Sequence, residues 1–161
     1  MSDIPWKVRI EQKQKEAEFF LQELKRLENV ETRTINEDLE VYKYYASAFL
    51  NAIRCPHQYA LKAIGAPADP GKKAWYDNSM ELAILKFIRD ERNSNIHEIT
   101  TAPISNIVKT FTEPPTPVTT TFSAQWTNYP GADKGVVSIA QAALGAIKEW
   151  VNDGIEKGYI T

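Results

Sequence analysis

One segment of the sequence, residues 89–97, combines two cations, an amide and a titratable ring. Arg92 precedes His97 by five positions, and Asn93 follows the arginine directly. Arg89 lies three residues before Arg92. A guanidinium can bind a phosphate through two parallel hydrogen bonds, and a histidine with a pKa near about 6.5 can take or give a proton at neutral pH. These residue types could therefore bind an anion and transfer protons.

Helix geometry limits which of these side chains can meet. Asn93 and His97 are four positions apart, so both lie on one face of a helix. Arg89, four positions before Asn93, extends that row by one turn. Arg92 lies about 140° around the helix from His97. It continues an apolar row formed by Leu85, Ile88 and Ile96. One helix therefore has difficulty directing Arg92 and His97 at a single point, whereas two copies facing each other across a symmetric interface could do so.

Composition excludes several other classes of protein. The 161 residues carry a net charge of −2, which excludes a strongly basic nucleic-acid coat, so any anion site must be local. One cysteine, Cys55, cannot form an intrachain disulfide, and with two histidines it is too few for a His/Cys zinc site. No P-loop, dinucleotide fingerprint, nucleophile elbow or zinc-protease motif is present. We expect neither a metal nor a cofactor.

The sequence also bears on location. No apolar run approaches the roughly twenty residues of a membrane helix. The first residues, with charges around Pro5 and Trp6, lack the apolar segment of a signal peptide. We therefore expect a cytoplasmic protein with no membrane partner.

Hydrophobic periodicity predicts the elements that position the candidate site. A first helix is predicted over about 8–29 and a second over about 37–64, with Asn36 as its N-cap and a kink or short break at Pro56. Gly65, followed by Pro67, should end the second helix. The last helix is predicted over about 134–156.

The region between these helices has two parts. Asp69-Pro70 is a typical helix start, and the apolar residues Trp75, Leu82, Leu85, Ile88 and Ile96 predict one long third helix that ends before Pro103. Threonine-rich stretches on either side of Pro114, Pro115 and Pro117 then favour a hairpin at 104–112 and 118–127, with a loose polar loop as the alternative.

Together these elements predict an all-α, four- to five-helix up-and-down bundle. We expect a single domain over 1–161, with its core at about 8–157 and a small β-hairpin inserted at about 104–128 before the last core helix.

The segment from Arg92 to His97 resembles the R-N-x-x-x-H signature of the HEPN superfamily of helical proteins. The aromatic-rich stretch 44–52 resembles the corresponding second helix of bacterial members. The motif also lies where the family places it, near the end of the helix before the final core helix. The resemblance covers roughly residues 8–157.

The resemblance implies a metal-independent endoribonuclease of toxin or defence type in a bacterial cytoplasm. In that family the Arg and His of two protomers line a cleft at the dimer interface. It implies that His97 transfers protons, that Arg92 binds the phosphate, and that Asn93 and Arg89 support them. The products would carry a 2′,3′-cyclic phosphate and a 5′-hydroxyl. A homodimer, an RNA substrate and an antitoxin protein are the expected partners.

One position departs from part of that family. HEPN toxins that are silenced by a partner nucleotidyltransferase carry a tyrosine two residues beyond the histidine, where this chain has Ile99. Control by modification of that tyrosine is therefore not expected here, although another kind of antitoxin is.

Other interpretations of the motif stay open. Arg92 and His97 could cap a helix C-terminus, where cations suit the helix dipole. The cleft could also belong to a non-catalytic dimer that binds a protein, nucleotide or other anionic ligand, or the chain could be a purely structural helical scaffold. Arg89 is expected to form a solvated cluster with Asp90, Glu91 and Glu98.

The remaining polar and aromatic residues have structural explanations. His57 is expected to be a packed histidine beside Pro56, and Cys55 an inert buried thiol. Three tryptophans could stack on bases, but aromatic residues at helical spacing usually belong to the core, as we expect for Trp75, Trp126 and Trp150.

Overall fold

Five α-helices and one β-hairpin form the fold of this computed structural model, which describes residues 4–28, 35–97, 104–110, 121–126 and 129–161. For 35–39, 80, 94–97, 104–110 and 121–123 the description covers the backbone only. The helices are α1 (Trp6–Glu28), α2 (Ile35–Ile64), α3 (Pro70–Asn78), α4 (Ala83–His97) and α5 (Val136–Glu156). The strands are β1 (Ile104–Thr110) and β2 (Thr121–Trp126). The predicted all-α bundle with a small hairpin is confirmed.

The core lies where α1, α2 and α5 pack against one another. Helix α4 packs on α2 beside them. Their apolar rows recur every three to four residues, so each helix buries one face. Fully buried side chains from these rows are Ile10, Leu24, Phe49, Leu50, Ile53, Ile147 and Val151. Removing this apolar surface from water is the main stabilising contribution to the bundle.

Helix α2 runs through Pro56 without interruption. The short break that was one of the two predicted forms is therefore wrong, while the kink stays a prediction. Pro56 is fully buried, and proline removes only one N–H donor from the helix. The predicted N-cap is also wrong, because α2 begins at Ile35 and Asn36 lies inside it. The end is as predicted: Gly65 has a φ of 77° and donates its N–H to the carbonyl of Lys62 at 3.2 Å.

The single third helix predicted from periodicity is in fact two helices. A short 3-10 turn, Ser79–Glu81, separates α3 from α4, and Leu82 has an extended backbone at φ −70° and ψ 112°. The Ser79 hydroxyl donates to the Tyr76 carbonyl at 2.5 Å and so competes with helix continuation. Leu82, which was expected on the apolar face, is 47% exposed.

The start of α3 is as the sequence predicts. Asp69 is the N-cap, and its carboxylate accepts from the backbone N–H groups of Gly71 and Lys72 at 3.1 and 3.3 Å. Replacing Asp69 with alanine should lower the free energy of unfolding by about 1 kcal/mol, because two N–H donors lose their acceptor. Urea denaturation measures this. Asp69→Asn keeps a capping oxygen and should stay close to wild type; equal losses in both variants would contradict the cap.

The predicted hairpin is confirmed, since β1 and β2 pair antiparallel. The register runs from Ile104 opposite Trp126 to Thr110 opposite Thr121, with an irregularity between Ser105 and Val108. Residues 111–120, with Pro114, Pro115 and Pro117, lie outside the described residues. The Trp126 N–H donates to the Lys134 carbonyl at 2.8 Å, which ties β2 to the chain leading into α5.

Three of the four tryptophans belong to the core, as expected. Trp75, Trp126 and Trp150 are 7%, 1% and 8% exposed, so none presents a ring for base stacking. Within the described part of the chain, no helix combines the length and apolar character that a membrane crossing requires.

Candidate functional site: the α2–α4 face

Helix α4 carries three of the four predicted site residues in its described part. Arg92 continues the row of buried Leu85 and Ile88. It therefore belongs to the face of α4 that packs on α2. Arg89, on the neighbouring row, pairs with Asp90 at 2.9 Å and keeps 31% of its side chain exposed. Arg92 and Asn93 are half-buried.

The fourth predicted residue, His97, is the last residue of α4, and its side chain lies outside the described residues. The role of His97 in proton transfer therefore stays a prediction. Asn93 accepts a long hydrogen bond from Arg92 Nη1 at 3.4 Å. This contact couples Asn93 to Arg92, while its expected contact with His97 is not described.

One expectation about charges on α4 changes. The described hydrogen bond of Arg92 runs to the Asn93 side chain, and capping of the helix C-terminus by Arg92 and His97 stays an open interpretation. Glu91 was expected in a solvated cluster with Arg89, but it is only 6% exposed. Glu91 is buried because it lies three residues after Ile88, on the buried side of the helix.

Helix α2 supplies a cation that the sequence interpretation missed. Arg54 is half-buried and lines a small gap between α2 and α4 together with Ile53, His57, Leu85 and Ile88. One signal was available: Arg54 follows buried Leu50 by four residues and precedes His57 by three, so it lies in the buried row. A charge in such a row requires polar partners, because an unpaired buried charge is costly.

His57 and Tyr76 are partners of Arg54. His57 is 3% exposed; its Nε2 lies 2.8 Å from the Ser79 hydroxyl, and its Nδ1 contacts Arg54 Nη1 and, at 2.9 Å, the Tyr76 hydroxyl. The only hydroxyl proton of Ser79 goes to the Tyr76 carbonyl, so Nε2 must be the donor to Ser79. Nδ1 is then the acceptor, which is what a guanidinium requires because it can only donate.

This network keeps His57 neutral. Burial first, and then the positive charges of Arg54 and Arg89, lower the pKa of His57 to about 3. Protonating Nδ1 would place a second cation directly against Arg54. The expectation of a packed histidine is confirmed, and His57 stays unprotonated at neutral pH.

Arg54, Arg89 and Arg92 form what we call the arginine cluster. Burial lowers the pKa of Arg54, and the positive charges of Arg89 and Arg92 lower it further. The Nε atoms of Arg54 and Arg92 are both buried, and neither has a hydrogen-bond partner within the described part of the chain.

Cys55 lies beside this cluster. It is half-buried rather than buried, and its thiol donates to the Asn51 carbonyl at 3.2 Å. Burial raises the pKa of Cys55, so the thiol is protonated at neutral pH. Across the described residues, no group of three or more His, Cys, Asp or Glu side chains is arranged to hold a metal ion.

Comparison with known proteins gives no assignment. No protein-family model matches the chain, and neither a curated protein nor a solved structure matches it. Only the residues of the chain itself therefore bear on its function.

Proposed function

We propose that this protein is a metal-independent endoribonuclease of toxin or defence type. It would act as a homodimer with a composite site to which each protomer contributes Arg92 and His97. The motif resembles that of HEPN ribonucleases, and the proposal includes membership of that superfamily. RNA is the substrate because DNA lacks the 2′-hydroxyl nucleophile.

The observation that carries the proposal is the environment of Arg92. Its side chain is half-buried against α2, no carboxylate among the described residues pairs with it, and its buried Nε has no acceptor there. A guanidinium held in this way near Arg54 and Arg89 is better suited to a phosphate than to a structural ion pair.

The proposed reaction needs one proton removed and one supplied. A base takes the proton from the 2′-hydroxyl, the 2′-oxygen bonds to phosphorus, and the bond from phosphorus to the 5′-oxygen breaks. That oxygen then receives a proton, which leaves a 2′,3′-cyclic phosphate and a 5′-hydroxyl. His97 would transfer protons, and Arg92 would stabilise the charge that gathers on the phosphate oxygens in the transition state.

His57 is unsuited to the role assigned to His97. Its ring is 3% exposed, and its pKa of about 3 keeps it from carrying the imidazolium proton that a general acid gives up near neutral pH. Of the two histidines in the chain, the proposal therefore depends on His97 alone.

A metal-free cleavage assay tests the proposal. Purified wild-type protein, Arg92→Ala and His97→Ala are incubated in EDTA with end-labelled RNA. We expect wild type to leave cyclic-phosphate ends and each variant to lose at least about 100-fold in rate, because general acid–base catalysis and charge stabilisation each contribute at that scale. Sedimentation of the same samples measures whether the protein is a dimer.

The control variant loses one positive charge, as Arg92→Ala does, but in a different helix. Arg26 on α1 is exposed and paired with Glu23 at 2.7 Å, so Arg26→Ala should cleave like wild type. Equal rates in wild type and His97→Ala, with the folds intact, would contradict the assigned roles. An absence of cleavage over a broad set of RNAs would favour a non-catalytic dimer that binds an anionic ligand at the same face.

A further inference from the structure

The outer face of α2 carries a row of uncharged side chains. Its six members follow one another at alternating spacings of three and four residues: Val41, Tyr44, Ala48, Asn51, Cys55 and Gln58. Val41 and Tyr44 are large hydrophobic residues that keep 41% and 55% of their surface exposed. Asn51 is exposed as well, and the other three are half-buried. We call these six residues the α2 seam.

The α2 seam lies on the side of the helix that faces away from the core. At 100° per residue it is centred about 150° from the buried Phe49 and Ile53. Helix α1 packs on one side of α2, where the Phe20 and Tyr45 rings lie 6.2 Å apart, centroid to centroid. Helix α4 packs on the other side, near Arg54. The exposed fractions of the seam show that neither neighbour covers this strip.

The spacing of the seam indicates what kind of partner fits it. Alternating steps of three and four residues align side chains along one line of a helix, which is the pattern that packs lengthwise against a second helix in coiled coils. A nucleic-acid strand is a poor occupant, because six uncharged side chains offer no cation to its phosphates. The pattern therefore favours a helix as the occupant.

The charges at the two ends of the seam indicate which helix that is. The next position of the same spacing is Glu37 towards the start of α2 and Lys62 towards its end. The steps from Glu37 to Lys62 are 4, 3, 4, 3, 4, 3 and 4 residues, which is the same series in both directions. An antiparallel copy of α2 therefore brings the acidic end of each chain to the basic end of the other. A parallel copy would bring like charges together, which is unfavourable.

We propose that the α2 seam binds the α2 seam of a second copy of this chain, antiparallel, around a two-fold axis that passes midway between Ala48 and Asn51. In this pairing Ala48 faces Asn51 of the other copy, and Tyr44 faces Cys55 of the other copy. A two-fold interface requires such a self-complementary surface. The inference rests on the proposed function for its expectation of a homodimer, and it names the surface through which that dimer forms.

Sedimentation equilibrium of two matched variants tests the surface. Asn51 and Asn152 are both exposed asparagines within helices, on α2 and on α5. Asn51→Lys places two like charges beside the two-fold axis and should raise the dimer dissociation constant by about 100-fold, about tenfold for each copy of the substitution. Asn152→Lys should associate like wild type. Circular dichroism of both variants measures whether the helices are intact.

Oxidative cross-linking tests the direction of the pairing. Tyr44→Cys places a thiol opposite Cys55 of the other copy, so treatment with diamide should give dimers that a reductant separates on a gel. Within one chain the two positions are eleven residues apart (55 minus 44), about 16 Å along the helix, which is too far for a disulfide. The two copies of Cys55 are separated by the same distance along the seam, so the wild type should stay unlinked.

The two experiments separate the failure of the seam from the failure of the proposed function. A wild type that sediments as a monomer would overturn the seam as a contact between copies, and so would an equal loss of association in Asn51→Lys and Asn152→Lys. Cross-linking of the wild type through Cys55 alone would overturn the antiparallel direction. A dimer that Asn51→Lys dissociates, in a protein that cleaves no RNA, would support the seam and contradict the ribonuclease proposal.

Discussion

The free energy of unfolding should fall by about 2 kcal/mol between about pH 7.5 and pH 5 through His57 alone. In the folded protein the pKa of His57 is about 3, mainly because burial disfavours the charged ring and also because Arg54 and Arg89 repel it. In the unfolded chain the pKa returns to about 6.5. Between these two pKa values, His57 therefore binds a proton in the unfolded chain and stays neutral in the folded protein.

The sign follows from this difference in bound protons. Stability that depends on neutral His57 is fully present above about pH 6.5 and is lost progressively as the pH falls towards about 3. Two of the groups around the ring are cations, which disfavour a second positive charge there. Arg54 shares its element, Arg89 lies on α4, Tyr76 and Ser79 come from α3 and the turn after it, and Trp150 of α5 lies 5.1 Å from it, centroid to centroid.

Urea denaturation near pH 7.5 and near pH 5 measures the effect. His57→Gln cannot titrate, so its loss between the two pH values should be smaller than that of wild type by about 2 kcal/mol, whatever its stability at pH 7.5. His97→Gln removes the other histidine and should keep the wild-type dependence. A dependence that disappears in His97→Gln and persists in His57→Gln would contradict the assignment.

Gly154→Ala should destabilise the protein by about 2 kcal/mol, although the same change in most helices is favourable. Gly154 is buried near the end of α5, and a Cβ there would lie 2.7 Å from Cη2 of Trp75, with Cζ2 closer still. Ordinary carbon contacts are about 3.5–4.0 Å. The indole would therefore have to move by an ångström or more.

Trp75 has little room for such a movement. Its ring is stacked on Trp150 with centroids 4.4 Å apart and planes 7° apart, and Tyr159 packs edge-on against it at 5.7 Å. Ile160 Cδ1 would also lie 3.1 Å from the new Cβ. Displacing Trp75 thus disturbs contacts on several sides, which is the usual cause of a large penalty for overpacking.

Helix α5 provides its own control in Gly145. That residue is exposed, and no atom lies within 4 Å of an added Cβ. Gly145→Ala should stabilise the protein by about 0.5–1 kcal/mol through helix propensity. Thermal and urea unfolding should therefore shift in opposite directions for the two variants. A stabilised Gly154→Ala protein would contradict the packing around Trp75.

The helices that packing confirms were predictable because their apolar residues recur at helical spacing. Such a pattern depends on local geometry alone, so α1, α2 and α5 could be placed to within a few residues. The boundary between α3 and α4 could not, because the apolar row continues from Trp75 to Ile88. A hydrogen bond from the Ser79 hydroxyl to the Tyr76 carbonyl and the extended backbone of Leu82 end the first helix.

Some residues of the candidate site could be predicted from the sequence, and Arg54 could not. Arg92 and His97 were selected from the resemblance of their motif to the HEPN signature, and their shared role stays a prediction. Arg54 lies 38 positions earlier in the chain than Arg92 (92 minus 54). No local pattern links the two, and the charge of Arg92 affects the pKa of Arg54 only because α2 packs on α4.

The sequence by itself therefore determined the all-α class, the helices whose periodicity is unbroken, the hairpin and the residue types available for phosphate chemistry. The tertiary structure decided which charges are buried and what they contact. It turned Glu91 inward, made His57 an acceptor for Arg54, and left the Nε atoms of Arg54 and Arg92 buried. The physical reason is that helix formation follows from neighbours in the chain, whereas burial and the pKa depend on residues that are distant in the sequence.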